Sequence, residues 1–276
     1  MKKTALILCV ALLFAAMLPL GASAYQYNGF IYSESGNGTV TIEGLDYYIA
    51  KGDIVVPETI DGKAVTRIGS EVFSYKQFIT SVTLPSGVTE IADNAFYMCV
   101  GLEKVIIPEG VTSIGESCFA LCESLTEVTI PYSAKAIGGK MFTDCKNLTT
   151  AYIYSDGAAL GKDFFSGCES LEALYLSKGV SSVASEAISD CTVLKDIYCQ
   201  AAEADITFTG KIIEENGITV HYEYDYEGFP KEQTAANNSD NPADDGSITK
   251  VIFTFLALVA VIGAAAVIII KRKSKR

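Results

Sequence analysis

The chain repeats itself every 23 residues, and that period constrains its fold more than any other feature. Phe73, Phe96, Phe119, Phe142 and Phe165 form one column at this spacing, with Ile188 in the next place. Cys99, Cys122, Cys145, Cys168 and Cys191 form a second column. Ile68, Ile91, Ile114, Ile137, Leu160 and Val183 form a third. Three columns in one register mark a solenoid, whose units bury their apolar faces only against their neighbours.

Residues 111–131 serve as the type unit. Ile114-Gly115 leads into Cys118, Phe119, Cys122 and Leu125, a spacing that predicts one or two helical turns with one face buried. Leu125 to Ile130 then alternates, which predicts a short strand with Val128 and Ile130 inward and Glu127 and Thr129 outward. Pro131 ends the strand because it cannot donate to a ladder. Stacked units pair their strands in parallel, about 4.8 Å apart.

The pattern Leu125-x-x-Val128-x-Ile130-Pro131, Ile137-Gly138, Phe142-x-x-Cys145-x-x-Leu148 resembles the BspA-like class of leucine-rich repeats. The resemblance covers roughly residues 54–199. It implies an α/β repeat, a leucine-rich-repeat solenoid with short parallel strands, short helical or 3₁₀ segments and β-rich caps. It also implies a bacterial surface protein associated with adhesion. Later units depart from the pattern: Tyr154 and Ser177 replace the proline, Ala151 the strand valine and Ile188 the phenylalanine.

Segments outside the array follow from composition. Residues 1–24 read as a secretory signal peptide, with Lys2 and Lys3, an apolar core and the Ala22-Ser23-Ala24 cleavage site. Residues 25–64 read as an N-terminal β cap with a degenerate repeat, in which Ile54-Val55-Val56-Pro57 matches Val82-Thr83-Leu84-Pro85. The array proper spans 65–199. Past Cys199 the 23-residue register is lost; residues 200–227 read as a C-terminal cap of two strands around a short helical turn ending at Gly217. Residues 228–248 read as a flexible acidic stalk. Residues 249–270 read as a transmembrane helix, since 251–270 carry no charge over the length a bilayer requires. The basic tail 271–276 then stays cytoplasmic and the repeats outside.

Charge narrows the partners. The chain carries 21 basic and 33 acidic residues, a net of −12. Two basic residues lie in the leader and five in the tail, so residues 25–250 carry −19. A field of that sign opposes nucleic acid and anionic glycans. No cofactor motif or metal-ligand spacing is present, and the lone His221 reads as a surface residue. Seven cysteines remain once Cys9 leaves with the leader. Cβ atoms on successive rungs lie about 5 Å apart, wider than the ~3.8 Å a disulfide prefers, so the column reads as a buried thiol ladder.

The outward strand positions carry the functional reading. One column runs Ser81, Lys104, Glu127, Thr150, Ala173, Asp196, and the other Thr83, Ile106, Thr129, Tyr152, Tyr175, Tyr198. Tyr152, Tyr175 and Tyr198, with Thr129 and Ile106, are the candidate ligand-binding residues. The aromatic stripe admits two readings: an interface, where Tyr supplies rigid amphipathic area, or simple strand preference. No catalytic constellation is apparent, so the chain reads as a membrane-anchored binding protein for an extracellular protein or glycan. The alternative is an envelope protein that docks a partner in the same membrane.

Overall fold

Residues 24–225 are described by a computed structural model; the predicted leader (1–23 of it), stalk, transmembrane segment and tail lie outside the described residues. Each unit winds once around an apolar axis, and backbone bonds link successive units on three sides, with one break in the strand ladder on each of two of them.

On the first side lie the longer strands. Lys51–Val55, Phe78–Thr83 and Lys104–Ile106 form a parallel ladder of three. Glu127–Ile130, Thr150–Ile153, Ala173–Leu176, Asp196–Cys199 and Thr219–His221 form a parallel ladder of five. The pairing keeps the 23-residue register, with Val128 opposite Ala151, then Leu174, then Ile197. A second side carries two-residue strands such as Glu90–Ile91, Ser113–Ile114 and Ala136–Ile137. Two residues suffice there because the chain turns sharply at both ends.

The third side corrects the predicted helical turns. Its backbone donors alternate between their own turn, as in Cys99 N–H to Phe96 O (3.1 Å), and the next rung: Phe96 N–H bonds Cys118 O (2.9 Å), Phe119 N–H bonds Met141 O (3.0 Å) and Phe142 N–H bonds Phe164 O (2.9 Å). Left-handed residues enforce this. Asn94 and Met98, Ser117 and Leu121, and Lys140 and Asp144 all have φ between 53° and 61°. Left-handed backbone four residues apart breaks any continuous α-helix. Among the described residues helix is confined to a 3₁₀ piece at Ser185–Ile188 and one α-helix at Ile212–Glu215. The array is a β-solenoid with almost no helix.

The three columns fill the core. The phenylalanine rings stack nearly parallel, with centroids 4.8 Å apart for Phe73–Phe96, 5.0 Å for Phe96–Phe119, 5.6 Å for Phe119–Phe142 and 5.3 Å for Phe142–Phe165. All five are fully buried. The cysteines have a bonding role as well as a packing one. Cys99, Cys122, Cys145, Cys168 and Cys191 each donate Sγ–H to the phenylalanine carbonyl of the preceding rung, at 2.8–3.2 Å. All seven cysteines among the described residues are buried and free. Burial pushes the thiols of Cys99, Cys145, Cys191 and Cys199 up to about 12.

Both ends close with β-structure. At the N-terminus Tyr25–Tyr27, Phe30–Glu34 and Val40–Leu45 form an antiparallel sheet whose last strand pairs in parallel with Lys63–Ile68. Gly44 lies inside Val40–Leu45, and Tyr47 to Ile49 form a turn. After Pro57 the chain forms a hairpin of Thr59–Ile60 with Lys63–Ile68, turning at Asp61 (φ 51°) and Gly62 (φ 76°), as a two-residue hairpin loop requires.

The C-terminus departs from the expected loss of register. Thr219–His221 stacks on Asp196–Cys199 and Thr207–Phe208 stacks on Ser182–Val183, adding another rung. Val183 pairs with Phe208, 25 residues on, whereas Tyr198 pairs with His221, 23 residues on. Two extra residues in the first half of this rung are offset in the second, where the helix Ile212–Glu215 replaces the usual turns. Gly217, with φ +60°, follows that helix as predicted.

Candidate functional site

Alternation on the five-stranded ladder turns Val128, Ile130, Leu174, Leu176 and Ile197 inward and leaves two columns outward. In the column that starts at Thr129, parallel register sets each side chain directly over the next. Tyr152 and Tyr175 stack with centroids 4.8 Å apart and planes 18° apart; Tyr175 and Tyr198 repeat this at 4.8 Å and 12°. The stack extends one ring beyond the predicted stripe. His221 lies 4.7 Å from Tyr198 at 11°, and its Nε2 bonds Asp196 Oδ1 at 2.8 Å. Tyr224 folds back over Tyr198 at 4.6 Å, held by its N–H to Cys199 O (2.9 Å). Burial, then the nearby Asp196 and Tyr224, push the Tyr198 phenol up.

Thr129 is exposed and opens the column beside Tyr152. Ile106, 53% exposed, belongs to the three-stranded ladder, so the predicted row of five crosses a break between Lys104–Ile106 and Glu127–Ile130. Tyr154, one residue past its strand, is buried; it stacks on Tyr132 at 5.4 Å and approaches Tyr152 at 6.2 Å, which backs the aromatic column from the side. The predictions missed His221, Tyr224, Tyr154 and Tyr132. His221 lies 23 residues after Tyr198 and was legible in principle; Tyr154 sits where most units carry proline, and Tyr132 directly follows Pro131.

The other outward column, Glu127, Thr150, Ala173, Asp196 and Thr219, is mostly small and neutral. In a segment carrying −19, these two outward columns hold two carboxylates, and one of them is bonded to His221. Other charges on the rungs form pairs away from this face, such as Lys140–Glu116 (3.1 Å) and Lys146–Glu123 (3.3 Å). Among the described residues no group of three His, Cys, Asp or Glu is placed to hold a metal ion.

Gly115 and Gly138, which follow the isoleucine column, are packing residues. A Cβ on Gly115 would meet Asp93 N at 2.3 Å, and one on Gly138 would meet Glu116 N at 2.3 Å. Close approach of successive rungs, not a phosphate-binding loop, requires them. They line a shallow groove on the two-residue-strand side, where the pairing breaks between Ala136–Ile137 and Ala159–Leu160.

Stacked parallel rungs, an inner Phe–Ile–Cys core and an outward strand face define a leucine-rich-repeat protein. Residues 66–195 match the BspA type leucine rich repeat region in six copies, and the repeat array belongs to that family. The structure is similar to a leucine rich cell surface protein of Faecalibacterium prausnitzii (27% identity, TM-score 0.61), over 75% of this chain and 56% of that one. It is also similar to the leucine rich repeat protein of T. pallidum (21%, TM-score 0.58), over 71% of this chain and 91% of that one. The pneumococcal vaccine antigen PcpA shares the fold (16%, TM-score 0.57), over 73% of this chain and 48% of that one. No curated protein matches the chain.

Proposed function

We propose that this chain is a non-enzymatic binding protein, exported and held at the outer side of the cell membrane, whose Tyr152–His221 face takes a protein ligand in adhesion. The observation that carries this reading is the charge-poor, aromatic strand face on an otherwise strongly acidic repeat domain. Interface cores are depleted in charge and enriched in tyrosine. Strand preference alone accounts for tyrosines but not for the missing charges. Stacking turns the tyrosine faces toward one another. A sugar bound by ring stacking needs such a face, so the outward edges and hydroxyls favour protein over glycan. The uncharged run 251–270 and the basic residues after it support the anchor and its orientation.

The test replaces Tyr152, Tyr175 and Tyr198 together by alanine in the full-length chain. Loss of binding to intact cells or matrix protein, with circular dichroism unchanged, is the expected result. Undiminished binding by the folded variant rejects the face as the site. Capture of a partner from envelope extracts, with none on intact cells, assigns the face to envelope assembly instead.

A further inference from the structure

The most exposed apolar side chains lie far from the tyrosine ladder. Of ten large apolar or aromatic residues exposed among the described residues, eight precede residue 107, so the exposed apolar surface is concentrated at the N-terminal end. Four of the five most exposed cluster at one corner. Tyr47 is 77% exposed and Tyr48 80%, side by side in one turn with ring centroids 6.0 Å apart. Tyr75 (60%) and Phe78 (70%) stand on the next rung, where Phe78 pairs with Lys51. Tyr48 and Tyr75 each precede a paired strand position by three residues, so the two turns are neighbours along the stack.

Charge at this corner reverses that of the domain. Residues 47–52 and 75–79 contain Lys51 and Lys76 and no acidic residue. Neither lysine makes an ion pair among the described residues. The flanking acids are engaged in local hydrogen bonds at the surface: Asp46 accepts from Tyr48 N–H (2.9 Å) and Gln26 Nε2 (3.4 Å), and Asp53 accepts from the Thr80 and Ser81 hydroxyls.

Aromatic rings projecting from turns beside lysines are the equipment of the membrane–water interface, where rings sit at headgroup depth and ammonium groups meet phosphate. A protein interface core is instead flat or concave and loses its lysines. The negative field of residues 25–225, with 28 acidic and 12 basic residues, opposes an anionic surface but not one without net charge. We propose that the corner formed by Tyr47, Tyr48, Tyr75 and Phe78, with Lys51 and Lys76, docks on the headgroup region of a zwitterionic phospholipid bilayer.

The full-length chain is reconstituted through residues 251–270 into the bilayer of coated beads, which occupies that segment, and the beads are incubated with fluorescent phosphatidylcholine vesicles, with protein-free coated beads as the baseline. The wild type retains vesicles. Combined Tyr47→Ser, Tyr48→Ser and Phe78→Ser lowers retention about tenfold or more, because three rings leave the interface. These side chains are exposed, so circular dichroism stays unchanged. Lys51→Glu with Lys76→Glu lowers retention further. The variant lacking Tyr152, Tyr175 and Tyr198 retains vesicles normally, which separates this surface from the strand face. Absence of vesicle retention by the wild type, or equal retention by the folded serine variant, overturns the proposal.

Discussion

Phe119→Ala probes whether the stacked rings hold the array together. Phe119 is fully buried, with Phe96 at 5.0 Å on one side and Phe142 at 5.6 Å on the other. Truncating a buried phenylalanine to alanine costs about 3–5 kcal/mol in lost transfer energy and residual cavity. Its loss also leaves two ring contacts unmade, each worth about 0.5–1.5 kcal/mol. Phe73 is equally buried but stacks in this column on Phe96 alone. Phe119→Ala is therefore expected near the top of the range and Phe73→Ala about 1 kcal/mol lower. At about 2–4 °C per kcal/mol for a domain of this size, a cost of about 5 kcal/mol lowers the Tm of Phe119→Ala by roughly 10–20 °C. Thermal unfolding followed by circular dichroism reads both variants. A cost for Phe119→Ala under about 1.5 kcal/mol, or a larger cost for Phe73→Ala, refutes the reasoning.

Three further predictions concern the rung-to-rung contacts. The buried thiols stay protonated in the fold, with Cys99, Cys145, Cys191 and Cys199 raised from 9.0 to about 12. Their stabilising contribution is whole below pH 9 and is lost as pH rises through about 12, so the urea midpoint should fall over that window. At neutral pH iodoacetamide should label none of the seven cysteines in the native chain and all seven in urea, read by mass spectrometry. Gly138→Ala sets a Cβ 2.3 Å from Glu116 N and should destabilise by about 1–3 kcal/mol in urea titration. Gly139→Ala meets nothing within 4 Å and should be near neutral.

The sequence carried the array because a column of identical residues survives any doubt about local structure. The Phe, Ile and Cys columns, the strand Glu127–Ile130 and the outward tyrosines are all legible from spacing alone. The third side was not, because Cys118, Phe119, Cys122 and Leu125 have a spacing that a helical turn and a stacked coil satisfy equally. Ser117 and Leu121 decide between them by adopting left-handed backbone, and neither residue type advertises that conformation. The last rung was missed for a different reason. Phe208 arrives two residues late and no phenylalanine or cysteine marks the turn, so the match between Tyr198 and His221 stood without its neighbours. With that rung unseen, His221 looked isolated, and the aromatic column ended one ring short.

Bonding between rungs on three sides also sets how the domain answers a pull. Its hydrogen bonds run along the stacking axis, so tension applied between the two ends loads them one rung at a time, as in a zipper, and never all together in shear. Releasing one 23-residue rung replaces a rise of about 4.8 Å with roughly 75 Å of extended chain. Stretched end to end, the array lengthens in steps at modest force, and the rungs still stacked keep their shape while the end ones give way.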